Sequence, residues 1–236
     1  MITLYQTEIS PFCDKVRRIL AVKRVPYQEK NLRILQTLAR VSRWNPISRV
    51  PTLDDDGQII VDSREIARHL EQRFPDPPLS PRLTAERALA HVIEDWADQS
   101  LYFYEARLRF TFAANVARTA DILLVHEESG LIRRVAALAA PRTMRNVLAK
   151  QGIGRKSEDE VLRDMSRHAE AIAGWLGTRE WLVGDRLSVA DIAVFVQLAA
   201  IRSTDEGDKV LAAQPTVLSW MERVDRATLS ARPDRG

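Results

Sequence analysis

Val50-Pro51-Thr52-Leu53-Asp54-Asp55-Asp56-Gly57-Gln58-Ile59-Ile60-Val61-Asp62-Ser63 holds a strand, a turn, a second strand and a helix cap. Val50 to Leu53 opens one strand and Gln58 to Val61 forms the next. The Asp54–Gly57 turn between them makes the pair a β-hairpin. Asp62 and Ser63 are N-cap residue types, so a helix should run from there to about Phe74.

Upstream of this hairpin the chain alternates between strand and helix patterns. Ile2 to Tyr5 reads as a strand. Ser10 is a good N-cap, and Pro11 suits the first helical position. The helix that follows should set Cys13, Val16, Ile19, Leu20 and the stem of Lys23 on one side. Val25 to Lys30 reads as a second strand and Leu32 to Trp44 as a second helix. The order is β-α-β-α-β-β-α. Downstream, Pro75, Pro77, Pro78 and Pro81 should stop the helix and form a stiff, extended linker. Beyond it strand signals almost vanish, and helices follow with Gly or Pro as breaks, among them Gly130, Pro141, Gly152, Gly207 and Pro215. The expected fold class is therefore α/β plus all-α, with an α/β domain over 1–76, a linker over 77–83 and a helical domain over 84–236. Within the latter, Ser188-Val189-Ala190-Asp191 is a capping box, with Asp in the usual Glu place. The helix it opens, through Ile201, is apolar almost all round and belongs at the centre of its domain.

Composition narrows the classes. The chain has 236 residues, 45% hydrophobic and 28% charged, with a net charge of +3. This excludes a disordered chain, and +3 is too small to imply nucleic acid. No apolar run is long enough to span a membrane, and the first residues do not read as a signal peptide. The single cysteine, Cys13, makes neither an internal disulfide nor a multi-cysteine zinc site, and the four histidines show no metal-ligand pattern. The expectation is a soluble, cytoplasmic protein without a metal. One charge feature stands out. Between Ser129 and Ser157 lie Arg133, Arg134, Arg142, Arg145, Lys150, Arg155 and Lys156, and no acid. These seven either pair with the flanking Glu127, Glu128, Glu158, Asp159 and Glu160, or face an anionic substrate or an acidic partner.

The element order, the proline-rich linker and the helical second domain resemble the cytosolic glutathione transferases. Four motifs carry the resemblance: Ser10-Pro11-Phe12-Cys13, Val50-Pro51, Asp62-Ser63 and the Ser188–Asp191 box. It implies a thioredoxin-like N-terminal domain that binds glutathione as co-substrate, and a homodimer. It also implies a cis Val50–Pro51 bond, with Val50 pairing its backbone to the cysteinyl unit of glutathione. Asp62 and Ser63 would take the glutamyl ammonium and carboxylate, and Arg49 the glycyl carboxylate. Ser10, Phe12 and Pro51 complete the implied binding set.

Ser10 stands where glutaredoxin-like relatives carry their first cysteine, and serine-using transferase classes look like this. The hydroxyl would donate to the glutathione sulfur and favour the thiolate. The plainer reading of Ser10 is an N-cap alone, and of Asp62-Ser63 likewise. Cys13 is either a small buried hydrophobe or, as in the omega and beta classes, the working thiol of an oxidoreductase. The implied activity is conjugation of glutathione to a small hydrophobic or anionic electrophile. Trp96, Tyr102, Phe103, Tyr104, Phe110 and Phe112 fall in the helix bordering the second-substrate site, where they serve as core, dimer contact or substrate wall. Gln151-Gly152-Ile153-Gly154-Arg155-Lys156 is similar to a segment of the metaxin-related and failed-axon-like branches. It keeps open a non-catalytic module that binds an anionic partner.

Overall fold

The computed structural model describes residues 1–33, 50–126 and 129–229. Strands β1 (Ile2–Gln6), β2 (Tyr27–Asn31), β3 (Thr52–Asp55) and β4 (Gln58–Val61) form one sheet in the order β2-β1-β3-β4. β1 runs parallel to β2 and antiparallel to β3, and β3 pairs β4 as the expected hairpin. Leu4 lies opposite Leu53, and both are fully buried. β3 begins at Thr52 rather than Val50, because Pro51 has no N–H for the ladder. The Val50–Pro51 bond is cis. β2 likewise begins after Pro26. The helix expected from Leu32 to Trp44 lies, beyond Arg33, outside the described residues.

Helices α1 (Pro11–Val22) and α2 (Ser63–Arg73) complete the α/β part. The expected apolar side of α1 is buried: Cys13, Val16 and Leu20 are fully enclosed, with Ile19 and Lys23 nearly so. The sequence did not suggest that Lys15, Arg17 and Arg18 would be buried too. α1 is packed by α2 and by two helices of the second part, α8 (Val189–Arg202) and α10 (Pro215–Leu229). Its cations therefore meet partners from far along the chain. Lys15 Nζ lies 2.6 Å from Glu94 and 2.9 Å from Asp98. Arg18 reaches Asp14 at 2.8 Å and Asp225 at 2.9 Å, with its guanidinium 4.3 Å above the Phe195 ring.

The proline-rich stretch is not an extended spacer but a docked strap. Glu71 accepts hydrogen bonds from the backbone N–H groups of Leu79 and Ser80, the latter at 2.9 Å. Lys23 donates to the Pro77 carbonyl at 3.0 Å. Leu79 is buried, and its carbonyl accepts from Val189 N–H. A second cis bond, Asp76–Pro77, lies within the strap.

The second part is helical: α3 (Thr84–Trp96), a turn of π-helix (Ala97–Leu101), α4 (Tyr102–Thr111), α5 (Ala113–Leu123), α6 (Gly130–Gln151), α7 (Glu158–Leu176), α8, α9 (Asp205–Ala212) and α10. α8 is buried almost all round and sits at the core, as its sequence predicts. Its Asp191 ties the region together. The carboxylate accepts from Ser188 N–H and Oγ–H at 3.0 and 2.8 Å, from Leu182 N–H at 2.8 Å and from Trp220 Nε1 at 3.0 Å. Burial pushes its pKa up, against the pull of these donors.

Two expected breaks are not breaks. α6 runs through Pro141, whose ring is buried, since tertiary packing outweighs propensity in most helices. Gly207 lies inside α9, where a Cβ would stand 2.1 Å from the Ile201 carbonyl oxygen. It marks close approach of α9 to α8. The Gln151–Lys156 tract is a tight connection. Gly152 caps α6 at φ 112°, and a Cβ on Gly154 would meet the Ala149 nitrogen at 2.6 Å. Both glycines have structural reasons.

Candidate active site

A cavity of about 530 Å³ opens between the α/β part and the helical part. Ser10, Phe12, Val50, Pro51, Asp62 and Ser63 all line it, although they come from three separate stretches of the chain. Arg49 lies outside the described residues.

Ser10 caps α1 in extended conformation and is half-buried. Its Oγ accepts the Cys13 N–H at 3.4 Å, a long bond that leaves the hydroxyl proton free to point elsewhere. The open N–H groups of the first helical turn add partial positive charge at this point. Phe12 packs on Tyr102 with ring centroids 5.0 Å apart, joining the two walls. Cys13, by contrast, is fully enclosed and does not line the cavity. Burial pushes its thiol pKa up, despite opposing bonds from Thr7 and Ser10. A sealed thiol of raised pKa is a poor nucleophile.

Asp62 caps α2 from a positive φ of 73°, a conformation uncommon outside glycine and concentrated at functional sites. Its carboxylate accepts the Arg64 N–H at 2.8 Å and lies 3.6 Å from Arg64 Nε. Arg64 also pairs with Asp95. Across from them, the π-helical turn brings Asp98 and Gln99 to the wall. Asp98 binds Lys15 through Oδ2, while its buried Oδ1 has no hydrogen bond among the described residues. Burial pushes the Asp98 pKa up, with Lys15 opposing. This end of the cavity thus holds a helix N-terminus, a guanidinium and two carboxylates.

The other end is largely apolar: Tyr102, Phe103 and Phe110 from α4, Leu123 from α5, Met144 and Val147 from α6. The aromatic run therefore divides. Trp96 and Tyr104 turn to His168 instead, at 5.6 and 5.0 Å, and Phe112 is buried in the core. Arg109, paired with buried Glu105, donates to the Ile9 carbonyl at 3.1 Å and so braces the loop ahead of Ser10. None of the seven basic residues of 129–157 lines the cavity. Asp98, Glu105 and Arg109 escaped the sequence reading. No local motif marks them, and they reach the site only through packing of distant helices.

The comparisons with known proteins agree with this architecture. Residues 4–78 match the model of the glutathione S-transferase N-terminal domain, and residues 135–226 that of the C-terminal domain. FtsZ-localized protein A of Caulobacter vibrioides is 30% identical over 203 residues, which cover 84% of this chain and 76% of that one. The structure of FzlA from C. crescentus is 25% identical and superposes with a TM-score of 0.65, covering 99% of this chain and 94% of the other. A glutathione S-transferase from Methylobacterium radiotolerans, solved with glutathione sulfonate, gives 0.63 at 23% identity, covering 98% and 94%. The chain belongs to the cytosolic glutathione transferase superfamily.

Proposed function

We propose that this protein binds glutathione in the cavity and transfers its thiolate to a small, mainly apolar electrophile. The observation that carries the reading is the division of one cavity into two ends. The polar end suits a zwitterion: a carboxylate at the α2 N-terminus near Ser63 and Arg64, and an ammonium on the side of Asp62 and Asp98. Val50, on the cavity wall, offers backbone groups to the middle of the tripeptide. Glutathione sulfur would then come to Ser10, whose hydroxyl favours the thiolate, while the apolar end receives the electrophile. Arg49 would serve the glycyl carboxylate. The enclosure of Cys13 speaks against an oxidoreductase working through that thiol.

A second reading is an interaction protein on the same fold. Similarity to FtsZ-localized protein A over 84% of the chain favours it. Calorimetric titration with glutathione, paired with a conjugation assay on a nitroaryl chloride, decides between them. Saturable binding and turnover support the transferase. Absence of heat and turnover at millimolar glutathione leaves the interaction reading.

A further inference from the structure

The acid-free segment is mostly one helix, α6, and its residues are not spread evenly around it. At 100° per residue, Leu131, Val135, Leu138, Arg142 and Arg145 fall within about 40° of one line along the helix. Arg134 lies at its edge. The first three are apolar yet 75%, 59% and 63% exposed. A lone exposed leucine is ordinary, but three large apolar side chains in register over two turns are not. Ile122 and Val125, shortly before α6, are exposed as well. Pro141 and Leu148 are buried along one flank of this line and Ala136 behind it, while Met144 and Val147 on the far side meet the cavity.

Two charges of the segment are paired within the chain, and four have no carboxylate partner among the described residues. Arg133 pairs with Asp121 at 3.2 Å, and Lys156 pairs with Asp164. Among the described residues no carboxylate pairs with Arg134, Arg142, Arg145 or Lys150. The face is therefore apolar in its first half and cationic in its second.

We propose that this face of α6 docks an acidic amphipathic helix of another protein. Such a helix would set apolar side chains on Leu131, Val135 and Leu138, and carboxylates on Arg142 and Arg145. Charge decides between occupants. A second copy laid face to face would risk bringing arginine near arginine, with no acid on the face to relieve it. A helix lying in a bilayer keeps its cations on the face opposite the apolar one, whereas here they share a line. The stripe carries arginine, whose fork matches carboxylates in two-bonded geometry. The proposal rests on the interaction reading above, but its surface lies apart from the glutathione end of the cavity.

The test uses the full chain and fluorescein-labelled synthetic helical peptides. Each carries a Leu-x-x-x-Leu-x-x-Leu stripe with two glutamates continuing the same face, placed C-terminal in one peptide and N-terminal in the other. Fluorescence anisotropy should show saturable binding to one of them. Binding should weaken roughly tenfold or more in Leu138→Asp and in Arg142→Glu/Arg145→Glu, and when the peptide glutamates become lysine. Circular dichroism melts confirm that each variant is folded, and Arg142→Gln/Arg145→Gln gives a milder second series. No binding of either peptide up to millimolar concentration overturns the proposal. So does binding that both variant series leave unchanged, preference for anionic phospholipid vesicles, or a dimer that Leu138→Asp dissociates. Glutathione titration in the same samples reports separately on the interaction reading, so the two can fail independently.

Discussion

Ser10 and Cys13 stand three residues apart and live in different environments. One caps a helix at the cavity wall; the other is sealed beneath it. In the proposed transfer, Ser10→Ala removes a donor to the thiolate and should slow conjugation roughly 5- to 150-fold, as loss of about 1–3 kcal/mol would. Glutathione affinity should stay within a few-fold. Cys13→Ala should leave turnover nearly unchanged, and iodoacetamide should label the native thiol slowly. Steady-state kinetics of the two variants check the assignment, and the reverse pattern would sink it. Both positions were legible because capping is local, and so were Asp62 and Ser63. Asp14 adds a pH test. Burial alone would raise its pKa, but Arg18 and Arg17 hold it below the ordinary value. A depressed folded pKa gives stability above the unfolded value that is lost as pH falls through the folded one. The stability gap between the wild type and Asp14→Asn should therefore be full near neutrality and close in acid, as urea melts at several pH values would show.

Elements were legible where their signals are short-range, and not where packing overrides them. The β3–β4 hairpin follows from Asp-rich turn chemistry, and α8 from its cap and its apolar periodicity. Pro141 and Gly207 mislead because each looks like punctuation while serving contact. Gly207 can be tested directly. A Cβ there would strike the Ile201 carbonyl oxygen and lie 2.8 Å from that residue's side chain. Helix propensity favours Ala over Gly by about 1 kcal/mol, so a purely local view predicts that Gly207→Ala stabilises. Backbone contact should win instead, costing roughly 1–3 kcal/mol as other overpacked sites do. A lowered melting temperature confirms close packing of α9 on α8; a raised one refutes it.

At the scale of the molecule, the proposed homodimer would give twice 26.8 kDa by light scattering at micromolar concentration; a monomer mass would refute it. Within one chain, α1 joins the two parts, and Lys15 is its buried link to Glu94 and Asp98. This is the feature least visible in sequence, since a lysine on a helix reads as solvated until its partners, some eighty residues on, are in place. Burial by itself would lower the Lys15 pKa, but Asp98 and Glu94 hold it up, so the site is built for the charged ammonium. Lys15→Met keeps the volume and strands two buried carboxylates. Breaking a buried pair on one side costs about 3–5 kcal/mol, whereas replacing the whole group with apolar residues is often neutral. Lys15→Met should therefore unfold at markedly lower urea, and Lys15→Met/Glu94→Leu/Asp98→Leu should recover much of the loss. The pH dependence gives a further check. Without Lys15, the already raised pKa of Asp98 climbs higher above its unfolded value. The penalty is felt where the carboxylate is charged and fades as pH falls through the folded pKa, so the deficit of Lys15→Met should shrink toward acid. A deficit that is small at neutral pH, or that widens in acid, would mean that α1 is held by its apolar contacts and that the ion pair is incidental to the union of the two parts.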